Sequence, residues 1–148
     1  MNESCIRIKR VGAEYIPDIA KCERECFSDA SGEKAIKTLF DMGAVAVAAL
    51  SDSTLCGFAY AADCAGDAEL LRICVKDDFR KQGIGRRLLS ALHTELEREG
   101  TACVFLEVRE SNNSAISLYL SEGYFQTGRR KGFYKAPAED ALLFTKEL

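Results

Sequence analysis

The sequence predicts an α/β (α+β) protein built on a mixed, mostly antiparallel central sheet flanked by about four helices, in the order β-α-α-β-β-β-α-β-α-β-β. Three observations predict it. Apolar residues switch along the chain between strict alternation and helical spacing. Three extended runs in the first half are separated only by short polar turns, which makes an antiparallel meander. Strands and helices alternate in the second half, giving strand-helix-strand crossovers. A doubly wound nucleotide fold is disfavoured by the same order.

Taken in order, Ile6 and Ile8 alternate with charged residues, so residues 5–10 read as a first strand with one buried face. Pro17 opens a helix whose apolar stripe holds Ile16, Ile19, Ala20, Cys26 and Phe27. A second, short helix follows Ser31, with Ile36, Leu39 and Phe40 at helical spacing, and Gly43 ends it. Residues 45–50 and 55–62 are strands joined by the turn Ser51-Asp52-Ser53-Thr54, and Gly66-Asp67 turns the chain into a strand over 68–75. The chain then becomes polar and basic and passes Gly83 and Gly85. It enters the strongest helix, with Ile84, Leu88, Leu89, Leu92 and Leu96 on one face and Gly100 as its stop. Residues 102–108 form a strand and 114–122 a short helix ending at Gly123. Residues 125–130 and 141–146 form a closing hairpin with a long irregular loop between them.

At 148 residues the chain is read as one domain, 1–148. Hydrophobic residues make up 47% and charged residues 29%, the profile of a soluble globular protein. A net charge of −3 argues against direct binding of nucleic acid through a globally basic surface. No apolar run approaches the roughly 20 residues that cross a bilayer, the longest being 44–50, and no membrane association is expected. Met1-Asn2-Glu3-Ser4-Cys5 carries no signal-peptide pattern, so the expected location is the cytoplasm. Seven cysteines, an odd number without a Cys-x-x-Cys pair, read as free and largely buried thiols. Cys22 and Cys26 share a helix face, but the single histidine and the lack of nearby ligand pairs argue for no metal. That histidine, His93, sits among Ser90, Thr94 and Glu97 and reads as solvated.

The sharpest feature is Arg80-Lys81-Gln82-Gly83-Ile84-Gly85-Arg86, between a strand and an amphipathic helix. A turn there aims unpaired backbone N–H groups at one point, at the positive end of the helix dipole, and glycines let an anion approach the main chain. This suits a pyrophosphate with cations beside it; an ordinary turn with surface arginines is the alternative. Neither the Walker A spacing nor the third glycine of a dinucleotide fingerprint is present.

Alternation along 102–108 puts Glu107 on the side of Cys103 and Phe105. A carboxylate there is paired to Arg109 or Arg72, solvated through a cleft, or raised in pKa, and the last condition suits a general base. Tyr119 falls on the inward stripe of its helix with Ala115, Ile116 and Leu120. It serves as core packing or, through its hydroxyl, as a proton donor to a departing thiolate.

The Arg-x-x-Gly-x-Gly spacing in this context resembles the coenzyme A pyrophosphate motif of the Gcn5-related N-acetyltransferase (GNAT) superfamily. From Glu69 to Leu148 the chain is similar to the bacterial ribosomal-protein-alanine N-acetyltransferases. The carriers are Glu69-Leu70-Leu71-Arg72-Ile73-Cys74-Val75, the glycine loop, Leu106-Glu107-Val108-Arg109 with Ser111-Asn112, and Ala115-Ile116-Ser117-Leu118-Tyr119. Gly123-Tyr124-Phe125, Arg129-Arg130-Lys131-Gly132-Phe133-Tyr134 and Glu139-Asp140-Ala141 follow. The resemblance implies a GNAT-like fold and an N-acetyltransferase domain that uses acetyl-CoA as co-substrate. It implies Glu107 as proton acceptor and Tyr119 as proton donor. Ile73, Cys74, Val75, Lys81, Gln82, Gly83, Ile84, Gly85 and Arg86 would bind acetyl-CoA, with Asn112 contacting it further on. The implied acceptor is the N-terminal alanine of a small-subunit ribosomal protein, with Phe133 and Tyr134 as candidate walls of its channel.

The chain departs from that family at residues 27–32, Phe-Ser-Asp-Ala-Ser-Gly, where relatives usually carry a Pro-Trp pair beside the acceptor site. Acetylation of another protein N-terminus, of lysine or of a small amine therefore stays open, as does a non-catalytic acetyl-CoA-binding module. A loop that binds NAD or a nucleotide is a poorer reading.

Overall fold

The computed structural model describes residues 5–148, so Met1–Ser4, where the absence of a signal pattern was read, lie outside the described residues. β1 (Ile6–Val11) leads through a 3-10 turn into α1 (Ile16–Cys26) and α2 (Glu33–Asp41). β2 (Val45–Ser51), β3 (Thr54–Cys64) and β4 (Asp67–Val75) are the meander, followed by α3 (Ile84–Arg98), β5 (Cys103–Arg109), α4 (Asn113–Ser121), β6 (Phe125–Lys135) and β7 (Ala138–Glu147). One seven-stranded sheet has the order β1-β2-β3-β4-β5-β7-β6, antiparallel except where β4 runs parallel to β5.

The period-2 pattern of the meander sends alternate residues into two cores. Val45, Val47, Ala49 and Ala59 join Leu88, Leu89, Leu92 and Leu96 of α3 on one face. Ala46, Ala48, Leu50, Phe58 and Tyr60 meet Ile19, Ala20 and Ile36 of α1 and α2 on the other. The alanines of β2 and β3 let both helix layers approach closely. Each fully buried leucine of α3 contributes about 2 kcal/mol by area burial.

Two irregularities open the sheet at its centre. Tyr60 pairs with Arg72 whereas Ala61 pairs with Leu70, so Leu71 is an extra residue that bends β4. β4 then pairs with β5 only at Ala68–Val104 and Glu69–Phe105. Beyond Glu69 the two parallel strands diverge and leave a backbone edge of β4 free of β5.

Three expectations are corrected. The closing hairpin has no long loop: β6 and β7 run on to a two-residue connection, Ala136-Pro137. β6 is a sheet edge solvated on both faces, so its charged residues show no alternation. His93 is not solvated: it lies on the buried face of α3, with Nε2 2.7 Å from the Tyr124 hydroxyl. Burial, with Lys146 nearby, lowers its pKa to about 4. The cysteines are not all free: Cys26, closing α1, is disulfide-bonded to Cys74 of β4, while Cys5 and Cys64 are exposed rather than buried. Among the described residues no helix is long and apolar enough to cross a membrane.

Candidate active site

The divergence of β4 from β5 produces two adjoining cavities. The larger, about 680 Å³, runs along Ile73, Cys74 and Val75 to the glycine loop. The smaller, about 310 Å³, lies between β4, the end of β5 and α4 and is lined by Glu107, Tyr119 and Tyr134. Phe27, Ile73, Asn112 and Ala115 line both.

At the loop, Lys81 and Gly83 take positive φ of 62° and 76°, and Gly83 caps α3 without a side-chain acceptor. The first N–H groups of α3 are therefore unpartnered within the helix and face the larger cavity, as an anion site requires. Glycine fits position 83 because an L side chain in the left-handed region costs about 1–2 kcal/mol. Arg80 pairs with Asp77 at 2.7 Å and Arg86 with Glu122 at 3.1 Å, whereas Lys81 makes no ion pair among the described residues. Lys81, Gly83, Ile84, Gly85 and Arg86 line the cavity, and Gln82 does not. Asn112 caps α4 by accepting from the Ala115 N–H at 3.2 Å while lining the same space.

At the smaller cavity, Glu107 pairs with neither Arg109 nor Arg72. Its Oε1 lies 3.1 Å from Arg130 Nε, across the intervening β7, while Arg109 pairs with Glu139 and stacks on the Tyr134 ring at 4.1 Å. Burial, and after it the Glu107 charge, raises the pKa of Glu69 on the neighbouring strand. Tyr119 is 6% exposed, packs on Tyr124 at 5.5 Å, and is pushed by burial up to about 12. Tyr134 reaches the cavity, but Phe133 is 45% exposed, edge-on to Tyr134, and does not line it.

The far wall is a network that the sequence reading missed. Glu23 of α1 is wholly buried and accepts hydrogen bonds from the Tyr60 hydroxyl at 2.7 Å and from the Ser31 N–H. Arg72 lies 3.7 Å from Glu23, donates to the Asp29 carbonyl at 2.9 Å, and covers the Phe27 ring at 4.3 Å. Segment 27–32 is thus fastened to α1 and to β4. The available signal was spacing, since Glu23 continues the apolar stripe Ile16, Ile19, Ala20.

A helix N-terminus with N–H groups unpartnered in the helix, a free strand edge, and a carboxylate and a phenol thus line two adjoining cavities. A profile of the acetyltransferase (GNAT) family matches residues 14–124, and the chain belongs to that family. The [ribosomal protein bS18]-alanine N-acetyltransferase of Escherichia coli K12 is 43% identical over 79 residues, 52% of this chain and 53% of that one. The match thus spans about half the length of that curated relative. The crystal structure of the ribosomal-protein-S18-alanine N-acetyltransferase from Escherichia coli superposes with a TM-score of 0.88 at 28% identity, covering 97% of this chain and 94% of that one. A PaiA N-acetyltransferase from Thermoplasma acidophilum, solved in complex with coenzyme A, shares the fold: TM-score 0.79, 20% identity, 97% and 99% covered.

Proposed function

We propose that the chain, as one domain over 1–148, is an acetyl-CoA-dependent N-alpha-acetyltransferase acting on the N-terminal alanine of a small-subunit ribosomal protein, in the cytoplasm. The observation that carries the chemistry is the meeting of Glu107 and Tyr119 on a cavity continuous with the glycine loop. Family membership and the likeness to the Escherichia coli enzyme support the substrate.

Acetyl-CoA would place its pyrophosphate on the loop around Gly83 and its pantetheine along the free edge at Ile73–Val75. Backbone groups there supply hydrogen bonds to the amides and polarise the thioester carbonyl. The acceptor ammonium enters beside Tyr134 and loses a proton to Glu107, through a water. Arg130 holds that carboxylate in place. The free amine attacks the acetyl carbonyl, the C–S bond breaks, and the nitrogen sheds its extra proton as the amide forms, that proton passing through solvent to restore Tyr119 after it has protonated the thiolate. Tyr119, pushed up to about 12 by burial, keeps its proton at neutral pH and gives it to the leaving thiolate. The burial that weakens the phenol as an acid also raises the proton affinity of the thiolate in the same site. Holding both substrates in one ternary complex supplies orientation. An α-amine, with a pKa near 7.7–8.0 against about 10.4 for lysine, needs only a modest base.

Glu107→Gln and Tyr119→Phe test the roles. Each is expected to lower kcat by about 10²–10⁴ with acetyl-CoA binding retained. Full turnover by either variant removes that residue from the mechanism.

A further inference from the structure

Three sulfurs gather where α1 meets β4. Cys26 and Cys74 are disulfide-bonded and both line the larger cavity, and Cys22 Sγ lies 3.9 Å from Cys74 Sγ. The bonded pair is unequal: Cys26 is partly exposed to the cavity, whereas Cys74 is 5% exposed and packed beneath it. Cys22 is fully buried, and burial pushes its thiol up to about 11, so it remains a thiol rather than a competing nucleophile. In the proposed transfer reaction the same cavity receives a thiol, coenzyme A, at every turnover.

We propose that the Cys26–Cys74 disulfide is a thiol–disulfide exchange site whose thiol substrate is coenzyme A, so that the reaction product is captured as a mixed disulfide on Cys26. This rests on the reading of the larger cavity as the acetyl-CoA site. The coenzyme A thiolate attacks Cys26 Sγ, the exposed sulfur. A new S–S bond forms between coenzyme A and Cys26, and the Cys26–Cys74 bond breaks. The electron pair leaves on Cys74 Sγ, which takes up the proton the coenzyme lost. One disulfide is consumed and one formed, so no external oxidant or reductant enters. The adjacent Cys22 S–H can donate to the emerging Cys74 thiolate. In the reverse direction Cys74 attacks Cys26 and expels coenzyme A. While the adduct persists the cavity is filled and acetyl-CoA is excluded.

The test uses the air-oxidised full chain. Thiol titration under denaturing conditions should find five free cysteines. Under anaerobic conditions, reduced coenzyme A can add only at a disulfide, so exposed Cys5 and Cys64 give no background. Intact mass should rise by one coenzyme A, peptide mapping should place it on Cys26, and dithiothreitol should reverse it. Binding in the cavity should make the adduct form at least about tenfold faster than with equal glutathione, and acetyl-CoA, whose thiol is blocked, should slow it. Cys26→Ser should give no adduct, and mapping of the unmodified chain stands independently of how that variant folds. Seven free thiols, an adduct elsewhere, or equal rates with glutathione would overturn the proposal. Acetyl-CoA binding, followed separately by thermal shift, distinguishes the failures. Binding without adduct removes only the exchange site, whereas no binding removes the acetyl-CoA reading as well.

Discussion

Replacing Glu23 by alanine strips the acceptor from the buried Tyr60 hydroxyl and from the N–H of the exposed Ser31, and removes the carboxylate facing Arg72. The buried Tyr60 hydroxyl left unpaired costs about 1–3 kcal/mol, the Ser31 N–H turns to water at little cost, and the missing side chain leaves a void beneath residues 27–32. Arg72 retains Asp29 and partial exposure, so its share is small. The total is on the order of 2–4 kcal/mol, a large fraction of a typical domain's stability. At roughly 3 °C per kcal/mol for a chain of this size, Tm should fall by about 6–12 °C. Glu23→Gln keeps the shape and one acceptor oxygen and should lose about 1–2 kcal/mol. Since Asp29 walls the smaller cavity alone, with Phe27 shared by both, Glu23→Gln assayed well below its Tm should raise the KM for the peptide several-fold. The KM for acetyl-CoA should change less. Calorimetry and steady-state kinetics read both. A Tm for Glu23→Ala within about 2 °C of the parent, or a KM change confined to acetyl-CoA, would refute the reasoning.

Further expectations follow from the same geometry. His93 titrates near 4 when folded and about 6.5 when unfolded, so the unfolded state binds more protons between those values and stability falls as pH drops through that window. Between pH 7.5 and 5 this amounts to about 2 kcal/mol, read by urea melts as the difference between the parent and His93→Gln; parallel pH profiles would contradict it. Gly83→Ala meets no atom within 4 Å but must adopt φ near +76°, so it should lose about 1 kcal/mol of stability while weakening acetyl-CoA binding several-fold. Unchanged binding by calorimetric titration would remove the loop from the phosphate site. With an α-amine acceptor, kcat/KM should rise from pH 6 and level near about 8, with no fall below about pH 10, because Tyr119 titrates at about 12. A continued rise past pH 9 would point to lysine.

Most of the fold was legible in the sequence because burial stamps its period on the chain. Ile84, Leu88, Leu89, Leu92 and Leu96 mark α3, and short turns, one polar and one with Gly66, separate the meander strands. His93 was misread from its polar neighbours, although its position four after Leu89 and three before Leu96 places it on the buried stripe. β6 was cut short because an edge strand solvated on both faces carries no alternation. The glycine loop and Glu107 stand out as oddities in a local pattern, whereas Tyr119 fits the inward stripe of its helix and its role as proton donor is what the family resemblance implies. The Arg130 partner of Glu107 was not, since it depends on β7 entering the sheet between β5 and β6. Cys26 and Cys74, 48 residues apart, meet only through the packing of α1 on β4 and leave no local trace.

The most direct measurement mixes the purified chain with acetyl-CoA and a panel of amines, and follows free thiol and acceptor mass together. The panel holds an Ala-starting peptide of a small-subunit ribosomal protein, the same peptide with its N-terminus blocked, a lysine peptide and a polyamine. One acetyl group on the α-amine of the Ala-starting peptide, with one thiol released per acetyl and no reaction of the blocked form, is the expected result. Thiol release with the lysine peptide or polyamine alone would contradict the acceptor, and acetyl-CoA binding without transfer to any amine would contradict catalysis itself.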